Sequence, residues 1–304
     1  MTGTPPSAGA SSRPRLFAMS MSPERRATLA GVSVGDGLPV VLMGALNVSP
    51  ESFYEGSVHR GADALVRAAA AMVEAGAELI DVGARSTAPY LSADISEDEE
   101  GRRLGRAVEI LAAKVAVPIS ADTTRPGPAR IALAAGARIL NDVSGLSDMA
   151  MADLAARHDA GVIVMASPGS HHAGSMPLET VCTVLAAGLA RARTAGVPEE
   201  HVVLDPGIGF FRQGMVDWVT WDIQVLARLG ELTDLGRPLC VGVSRKSFLG
   251  AIVGRPSPSD RLSASLAATT VAVLHGASVI RTHDVAATRD AVRVAERFRE
   301  GAPS

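Results

Sequence analysis

The feature that most constrains the fold is a unit that recurs along the chain from Pro39 onward. Each copy has a helical stretch, a stop that contains glycine, a short apolar run and a polar loop. In four copies the stop and the run read EAGAELIDVG, AAGARILNDV, DAGVIVMAS and HGASVIRTHD. Glycine suits the end of a helix because it adopts the left-handed conformation at no steric cost. The recurrence therefore predicts alternating helices and strands.

Four further apolar runs bring the number of candidate strands to eight, and they read PVVLMGALN, PISADTT, HVVLDPG and RPLCVGVS. The intervening segments have helical lengths and many Ala, Leu, Arg and Glu residues. These segments are 60–75, 97–115, 126–136, 147–159, 178–195, 216–234, 258–276 and 285–299. Eight such units predict an α/β protein with a single TIM (β/α)8 barrel over residues 38–300. A doubly wound open sheet is the alternative.

Residues 1–37 are predicted to form a partly disordered N-terminal extension. Residues 1–15 are rich in Pro, Ser, Gly and Thr, a composition typical of disorder. Residues 16–37 suggest either a small capping hairpin or a helix, and the sequence does not decide between the two. This beginning lacks an apolar core of signal-peptide length, and no apolar run approaches about 18 residues, so a cytoplasmic protein is expected.

Charge and cysteine content exclude some classes of function. The formal net charge is −3, which argues against a broad basic face for nucleic acid, so an anion site would have to be local. Cys182 and Cys240 both lie in apolar segments. They are interpreted as small buried hydrophobic residues rather than as a disulfide.

Polar residues cluster where the predicted strands end. They are Asn47, Asp81, Asp122, Asn141, Asp142, Asp205, Arg245, Lys246, Arg281, His283 and Asp284. Capping of the following helix is an alternative role for any single one of them. In a TIM barrel, however, the carboxyl ends of all strands meet at one mouth, where active sites lie. The pattern predicts a site there.

The residue types indicate what such a site binds. Asp122, Asn141 and Asp205 offer the hydrogen-bonding groups suited to a flat heterocycle with N–H edges. Arg281 and His283 are two residues apart on a predicted strand, so their side chains should face the same way and suit a phosphate or diphosphate. Asn47 offers one oxygen ligand for Mg²⁺, which usually also takes phosphate oxygens and waters.

Seven short motifs, in this order along the chain, resemble those of the dihydropteroate synthases, a pterin-binding TIM-barrel family. The motifs are NVSPESF (47–53), DVGARST (81–87), ISADT (119–123), NDVSGL (141–146), LDPGIGF (204–210), VGVSRKSFLG (241–250) and RTHDV (281–285). The resemblance covers nearly the whole span from Val40 to Arg297. Each motif is short, but the order and the placement at successive strand ends make the set specific.

The resemblance implies a transferase of folate biosynthesis. The amine of p-aminobenzoate would displace diphosphate from the hydroxymethyl carbon of dihydropterin diphosphate and give dihydropteroate. Mg²⁺ would bridge the diphosphate. The family commonly forms homodimers through barrel helices, and the apolar stretch 265–277 is a candidate interface helix, with packing on the barrel as the alternative.

The resemblance also implies roles for individual residues. The pterin would be bound by Asp122, Asn141, Asp205 and Lys246, and the diphosphate by Asn47, Arg281 and His283. Asn47 is the implied metal ligand, and Lys246, Arg281 and His283 are the implied catalytic residues. The p-aminobenzoate side would be formed by Thr87, Pro89, Phe210 and Ser247, with Ser247 at the start of a helix. Arg245 is expected to lie over the pterin ring as a cation on a π face.

The sequence departs from the family pattern in its loops. After strand two the usual Ser-Thr-Arg-Pro-Gly is STAPY, so Ala88 replaces an arginine. Arg85 stands where the family has a glutamate, and it is expected to restore some positive charge. After GIGF the usual Gly-Lys becomes Phe211 and Arg212, and loop one has Glu55 in place of an aspartate.

These departures leave two further interpretations open beside a working synthase. In the first, the chain is a paralogue that binds pterin diphosphate and uses another nucleophile or lacks turnover. In the second, it is a pterin-dependent methyltransferase. Binding of p-aminobenzoate separates the first of these from a synthase. A methyltransferase would need affinity for methyltetrahydrofolate and a corrinoid partner.

Overall fold

The chain begins its described part with a hairpin and continues as a barrel. A computed structural model describes residues 24–48, 58–85, 95–168 and 176–301. The hairpin pairs β1 (Arg26–Leu29) with β2 (Val32–Gly35) antiparallel. The barrel strands are β3 (Val41–Asn47), β4 (Leu79–Gly83), β5 (Ile119–Asp122), β6 (Ile139–Asp142), β7 (Gly161–Met165), β8 (Val202–Asp205), β9 (Leu239–Val241) and β10 (Ala277–Thr282). All neighbours pair in parallel, and β10 closes against β3. The predicted TIM barrel is confirmed, and the open sheet is excluded.

Helices follow the barrel strands, largely where the sequence predicts them. In the described part of the chain they are α1 (Val58–Glu74), α2 (Glu97–Ala112), α3 (Pro126–Ala134), α4 (Met149–Arg157), α5 (Pro177–Thr194), α6 (Trp218–Ala227), α7 (Ser247–Val253), α8 (Leu262–Leu274) and α9 (Val285–Gly301). Residues 216–234 and 258–276, each predicted as one helix, both contain a 3-10 segment, at Leu229–Leu235 and Pro258–Arg261. The short helix α7 separates β9 from α8.

Alternate strand residues point into the barrel and build its inner core. A cluster of buried apolar side chains contains Val41, Met43, Leu79, Ile139, Ile163, Val203, Cys240 and Val279. Hairpin residues Ala27, Leu29 and Val34 belong to the same cluster. Leu29 is fully buried, and its Cδ2 lies so near Gly161 that a Cβ there would approach it to 2.9 Å. The hairpin therefore closes the amino-terminal end of the barrel.

The same alternation places polar side chains at the opposite end. Successive residues of a strand point to opposite faces, so a residue two positions further faces the same way. Asp81 follows the inner Leu79 by two positions, and Asp205 follows Val203 in the same manner. Asn141 and Arg281 stand in this relation to Ile139 and Val279. The inner core thus continues directly into a polar mouth.

Other sequence expectations have mixed outcomes. Of the range 16–37, for which a hairpin or a helix is proposed, residues 24–37 are described and contain the hairpin over residues 26–35, whereas residues 16–23 lie outside the described residues. The predicted disorder of residues 1–15 lies outside the described residues, so it stays a prediction, as does the boundary at residue 38.

Cys240 is buried and Cys182 partly buried, and both are free thiols. Over the ranges described, no helix is long and apolar enough to cross a membrane.

Candidate active site at the barrel mouth

Asp81 is the centre of a buried polar network at the mouth. Its carboxylate is fully buried. It accepts hydrogen bonds from Ser120 Oγ at 2.6 Å, Asn141 Nδ2 at 3.1 Å and Arg281 Nε at 2.6 Å. A buried carboxylate needs such partners, because desolvation without them is costly. The network fixes the side chains of three other strands around one point.

Arg281 reaches a second carboxylate as well. Its Nη2 donates to Asp122 Oδ2 at 2.9 Å, while Asp122 Oδ1 is buried and has no hydrogen-bond partner among the described residues. Burial, together with the nearby charge of Asp81, raises the pKa of Asp122 to about 7, although Arg281 opposes the shift. Burial opposes the charge of Arg281 too, but Asp81 and Asp122 raise its pKa, so the guanidinium stays protonated.

Lys246 and Asp205 lie on the other side of the mouth. Lys246 Nζ donates to the carbonyl of Ile208 and lies 5.0 Å from the centroid of the Phe210 ring. Burial lowers the pKa of Lys246, and the charge of Asp205 opposes this shift. Burial likewise raises the pKa of Asp205, and Lys246 opposes that shift. The two groups therefore stabilise each other's charged forms.

The loop after β8 passes close to Lys246 because it contains two glycines with positive φ. Gly207 has φ 70° and Gly209 has φ 84°, a region that residues with a side chain rarely adopt. A Cβ on Gly207 would come within 2.0 Å of the Ala166 carbonyl oxygen, and one on Gly209 within 3.1 Å of Lys246 Cδ. Glycine at both positions is what allows this loop to line the mouth.

His283 and Asn47 lie at the rim. β10 ends at Thr282, so His283 lies just past the strand rather than on it as the sequence analysis expects. Its Nδ1 is 3.0 Å from Ser244 Oγ. Loss of hydration within the concave mouth and the charge of Arg281 lower the pKa of His283, so the ring is neutral at pH 7. Asn47 is exposed at the end of β3.

The residues predicted for the p-aminobenzoate side are only partly described. Thr87 and Pro89 lie outside the described residues, as do Glu55, Ala88 and Tyr90. Phe210 lies under Lys246, as given above. Ser247 is the first residue of α7, and its hydroxyl accepts a hydrogen bond from Arg212 Nη2. The described part of this side therefore joins the loop after β8 to the start of α7.

Arg85 is paired with a buried carboxylate on α2. Its Nε lies 3.3 Å from the buried carboxylate of Glu100 on α2. Arg125 Nη1 binds the same carboxylate at 3.0 Å, and Thr123 Oγ1 donates to it at 2.6 Å. Two arginines share this one carboxylate, and the expectation that Arg85 restores positive charge near the substrates stays a prediction.

Arg245 is paired with a carboxylate at the rim, and its expected place over the pterin ring stays a prediction. Its Nε and Nη2 donate to the two oxygens of Asp284 at 2.8 and 2.6 Å, and its φ is 56°. A bidentate pair of this kind holds the guanidinium in one plane. Lys246, the next residue, lies over the Phe210 ring. Arg245 therefore acts at the rim, where it links the end of β9 to the residue after His283.

Sequence reasoning placed Asp81 at the mouth without an individual role, and it did not single out Ser244 or Asp222. Asp81 was detectable, because it continues the two-residue alternation from Leu79 and stands in a recognised motif. Asp222 is buried on α6, where its Oδ1 accepts from the Gly209 N–H at 2.8 Å, and burial raises its pKa to about 6. No local pattern marks Asp222 or Ser244, since their partners belong to other elements.

The described side chains alone do not form a metal cage. Within the described ranges no three His, Cys, Asp or Glu residues are grouped as metal ligands. Asn47 Oδ1 and Asp122 Oδ2 both border Gly83, at 3.7 and 3.6 Å from the position that a Cβ would take there. One exposed amide oxygen beside a mouth rich in carboxylates suits a Mg²⁺ ion that takes most of its ligands from phosphate and water.

Comparison with known proteins agrees with this geometry. Residues 43–283 match the family model described as "Pterin binding enzyme". The dihydropteroate synthase of Escherichia coli K12 is 37% identical over 261 residues, which cover 84% of this chain and 90% of that protein. A structure of the Xanthomonas albilineans dihydropteroate synthase with 4-aminobenzoic acid superposes with a TM-score of 0.81 at 35% identity, covering 92% of this chain and all of that one. The same enzyme in complex with 7,8-dihydropteroate gives 0.78 at 34% identity, covering 91% and 100%.

Proposed function

The chain belongs to the pterin-binding enzyme family as a dihydropteroate synthase, and we propose that its barrel mouth condenses 6-hydroxymethyl-7,8-dihydropterin diphosphate with p-aminobenzoate. The products are dihydropteroate and diphosphate, so the protein is a transferase of folate biosynthesis. The aryl amine forms the new C–N bond, the C–O bond to diphosphate breaks, and the amine loses one proton.

The observation that carries the proposal is the set of polar groups facing the inner end of the mouth. Among the described residues, one buried oxygen of Asp122 has no hydrogen-bond partner, and Asn141 and Asp205 lie at the ends of other strands of the same barrel. A pterin has an amidine-like edge with two N–H donors and a carbonyl acceptor, so it matches carboxylates opposite an ammonium group. In this proposal Asp122, Asn141 and Asp205 bind the ring edges and Lys246 donates to the ring.

Arg281, His283 and Asn47 are proposed to hold the diphosphate at the rim. Arg281 is fully charged, whereas His283 is neutral at pH 7 and donates one ring N–H. Asn47 would contribute an oxygen ligand to a Mg²⁺ ion bound with the diphosphate. When bound, Mg²⁺ neutralises negative charge on the leaving diphosphate. Arg281 and His283 stabilise the same charge as it develops, so no strong base is needed.

Lys246 and Phe210 are proposed to orient the two substrates toward each other. Phe210 gives an apolar surface under Lys246 Nζ, and Ser247 follows directly in the chain. Thr87 and Pro89 are proposed to complete this side. Holding the amine next to the exocyclic carbon converts a bimolecular step into one within a complex, which accounts for a large share of a rate enhancement of this kind.

We also propose a homodimer in the cytoplasm. Val271 and Leu274 on α8, and Val294 and Phe298 on α9, are apolar side chains with 40%, 42%, 53% and 68% of their surface exposed. Neighbouring helices that expose apolar side chains together suit an interface between copies. Sedimentation at micromolar concentration should give twice the chain mass, and Phe298→Asp should give the monomer.

The cytoplasmic location is proposed from the cysteines. The two free thiols suit a reducing compartment.

A genetic test can address the whole function. A bacterial strain that lacks its own dihydropteroate synthase should grow without folate end products when it expresses this chain. The Lys246→Ala variant, at equal abundance, should not support growth. Growth with neither form, while both accumulate in soluble form, would contradict the proposed function.

A further inference from the structure

One peptide group of the loop after β8 lies between two oppositely charged side chains. Its carbonyl, which belongs to Ile208, accepts a hydrogen bond from Lys246 Nζ. Its N–H, which belongs to Gly209, donates to Asp222 Oδ1 at 2.8 Å. The C=O and N–H of a trans peptide point in opposite directions. The ammonium group therefore lies on one side of this loop and the carboxylate on the other.

The carboxylate comes from α6, which anchors the loop at two consecutive positions. Trp221 stacks on Phe211, with ring centroids 4.8 Å apart and planes 19° apart, and Asp222 holds the Gly209 N–H. Asp222 is buried, and its Oδ2 accepts no hydrogen bond from any described residue. A neutral amide could bind the Gly209 N–H at a lower desolvation cost. The presence of a carboxylate here therefore indicates a role for its charge.

The charges of Asp222 and Lys246 support each other. Burial raises the pKa of Asp222 to about 6, and the Gly209 N–H and the charges of Lys246 and Arg212 oppose this shift. Burial lowers the pKa of Lys246, and the charges of Asp205 and Asp222 oppose that one. Asp222 is thus mostly ionised at pH 7. Hydrogen bonds in a chain polarise one another, so the ionised carboxylate strengthens the bond between the peptide carbonyl and Lys246.

The loop also determines where the Lys246 side chain lies. Lys246 Nζ is 5.0 Å from the centroid of the Phe210 ring, and a Cβ on Gly209 would come within 3.1 Å of Lys246 Cδ. Three consecutive loop residues therefore border this lysine. Because a peptide group is a rigid plane, a shift of the Gly209 N–H moves the Ile208 carbonyl that binds the ammonium group.

We propose that Asp222 is a positioning residue that acts through the Ile208–Gly209 peptide to hold the Lys246 ammonium group in place at the mouth. The inference rests on the proposed function in one respect, since the pterin ring is the ligand to which Lys246 is proposed to donate. Asp222 itself lies on the far side of the peptide from Lys246. It would therefore affect pterin binding only through the loop and Lys246.

The first test compares pterin binding at two pH values. Asp222→Asn keeps an oxygen that accepts from the Gly209 N–H but removes the charge. By isothermal titration calorimetry with 6-hydroxymethyl-7,8-dihydropterin, its affinity should be about 5- to 20-fold below that of the wild type at pH 8, the loss expected when a charged acceptor becomes neutral. At pH 5 wild-type Asp222 is itself mostly protonated, so the difference should be less than about threefold. Titration of other groups affects both proteins and cancels in the ratio.

The second test needs no substrate. Lys114 and Lys246 are the two lysines of the chain, so NMR of protein labelled with 13C-lysine gives two side-chain signals. Asp222→Asn should lower the pKa of Lys246 further, because a negative charge that opposes the effect of burial is removed. The signal of the exposed Lys114 is the internal reference and should be the same in both proteins.

Control variants separate positioning from a structural role. Asp234→Asn changes an exposed aspartate in the 3-10 segment after α6 and should leave both measurements unchanged. If Asp222→Asn does not fold, as judged by circular dichroism, the smaller Asp222→Ser carries the same two tests. Loss of pterin affinity that is equal at pH 5 and pH 8, or a pKa of Lys246 that does not change, would overturn the proposal.

Failure of the proposed function gives a different pattern. In that case the wild type would bind no pterin, or would bind it without forming dihydropteroate. With binding retained, both tests apply as described. Without binding, the NMR titration decides: a lowered pKa of Lys246 in Asp222→Asn would support the link between the two residues, and an unchanged one would overturn it.

Discussion

Arg281 Nε donates to the Asp81 carboxylate across 2.6 Å, although the two residues are 200 positions apart in the chain. The pair joins β10 to β4, which lie on either side of β3 in the closed barrel. Because barrel closure creates this contact, the orientation of a cation at the mouth depends on the complete fold. Asp81 therefore acts as a positioning residue for Arg281.

Replacing Asp81 tests this relationship. Asp81→Asn keeps the shape of the side chain but removes the charge opposite Arg281. We expect the affinity for dihydropterin diphosphate to fall at least about tenfold, since breaking a buried charge pair by removing one partner is costly. Isothermal titration calorimetry would measure it, with the exposed Asp153→Asn on α4 as the control. Normal affinity in Asp81→Asn would contradict the assigned role.

Lys246 offers a sharp comparison, because the sequence contains one other lysine, Lys114, which is exposed at the end of α2. Lys246→Ala should weaken pterin binding at least about 100-fold by removing a charged donor to the ring. Lys114→Ala should bind pterin like the wild type. Fluorescence titration with a pterin would measure both, and a Lys246→Ala variant that binds normally would remove Lys246 from the site.

Asp122 should make stability depend on pH. The pKa of its carboxyl is about 7 in the folded protein, against an ordinary value of 3.8. Between these values the folded state binds more protons at this group than the unfolded state does, so its contribution to stability falls as the pH rises from about 4 to 7 and then levels off. The unfolding free energy of the wild type minus that of Asp122→Asn should follow this trend in urea titrations from pH 5 to pH 8. A difference that grows with pH would mean that Arg281 lowers the pKa instead.

The hairpin at the amino-terminal end should contribute to barrel stability. Leu29 is fully buried in the cluster inside the barrel, so Leu29→Ala should lower the unfolding free energy by about 2–5 kcal/mol. Ser33→Ala, on the exposed side of the same hairpin, should change it by less than about 0.5 kcal/mol. Equal unfolding midpoints for the two variants in urea would show that the hairpin does not seal the barrel.

The sequence predicted the site residues that follow strand periodicity. Asp122, Asn141, Asp205 and Arg281 all lie at strand ends, and their inward direction follows from the two-residue repeat of a strand. Their proposed roles stay predictions until ligands are bound. The same reasoning could not locate the partner of a side chain when that partner belongs to another element.

Arg85 and Arg245 show this limit in physical terms. Glu100 comes from α2 and Asp284 from the loop after β10, and each takes up an arginine that seemed available from the motif alone. The contact of Arg212 with Ser247 spans 35 positions and has no signal in either local sequence. Long-range ion pairs depend on how the helices pack around the barrel, which local periodicity does not specify.

The most direct test of the central claim is diphosphate release from dihydropterin diphosphate with Mg²⁺, measured with and without p-aminobenzoate, with the product identified by its mass. The account predicts release that depends on p-aminobenzoate and a product with the mass of dihydropteroate. Release without that dependence, or a product of another mass, would contradict it and would mean that this pterin site serves a different acceptor.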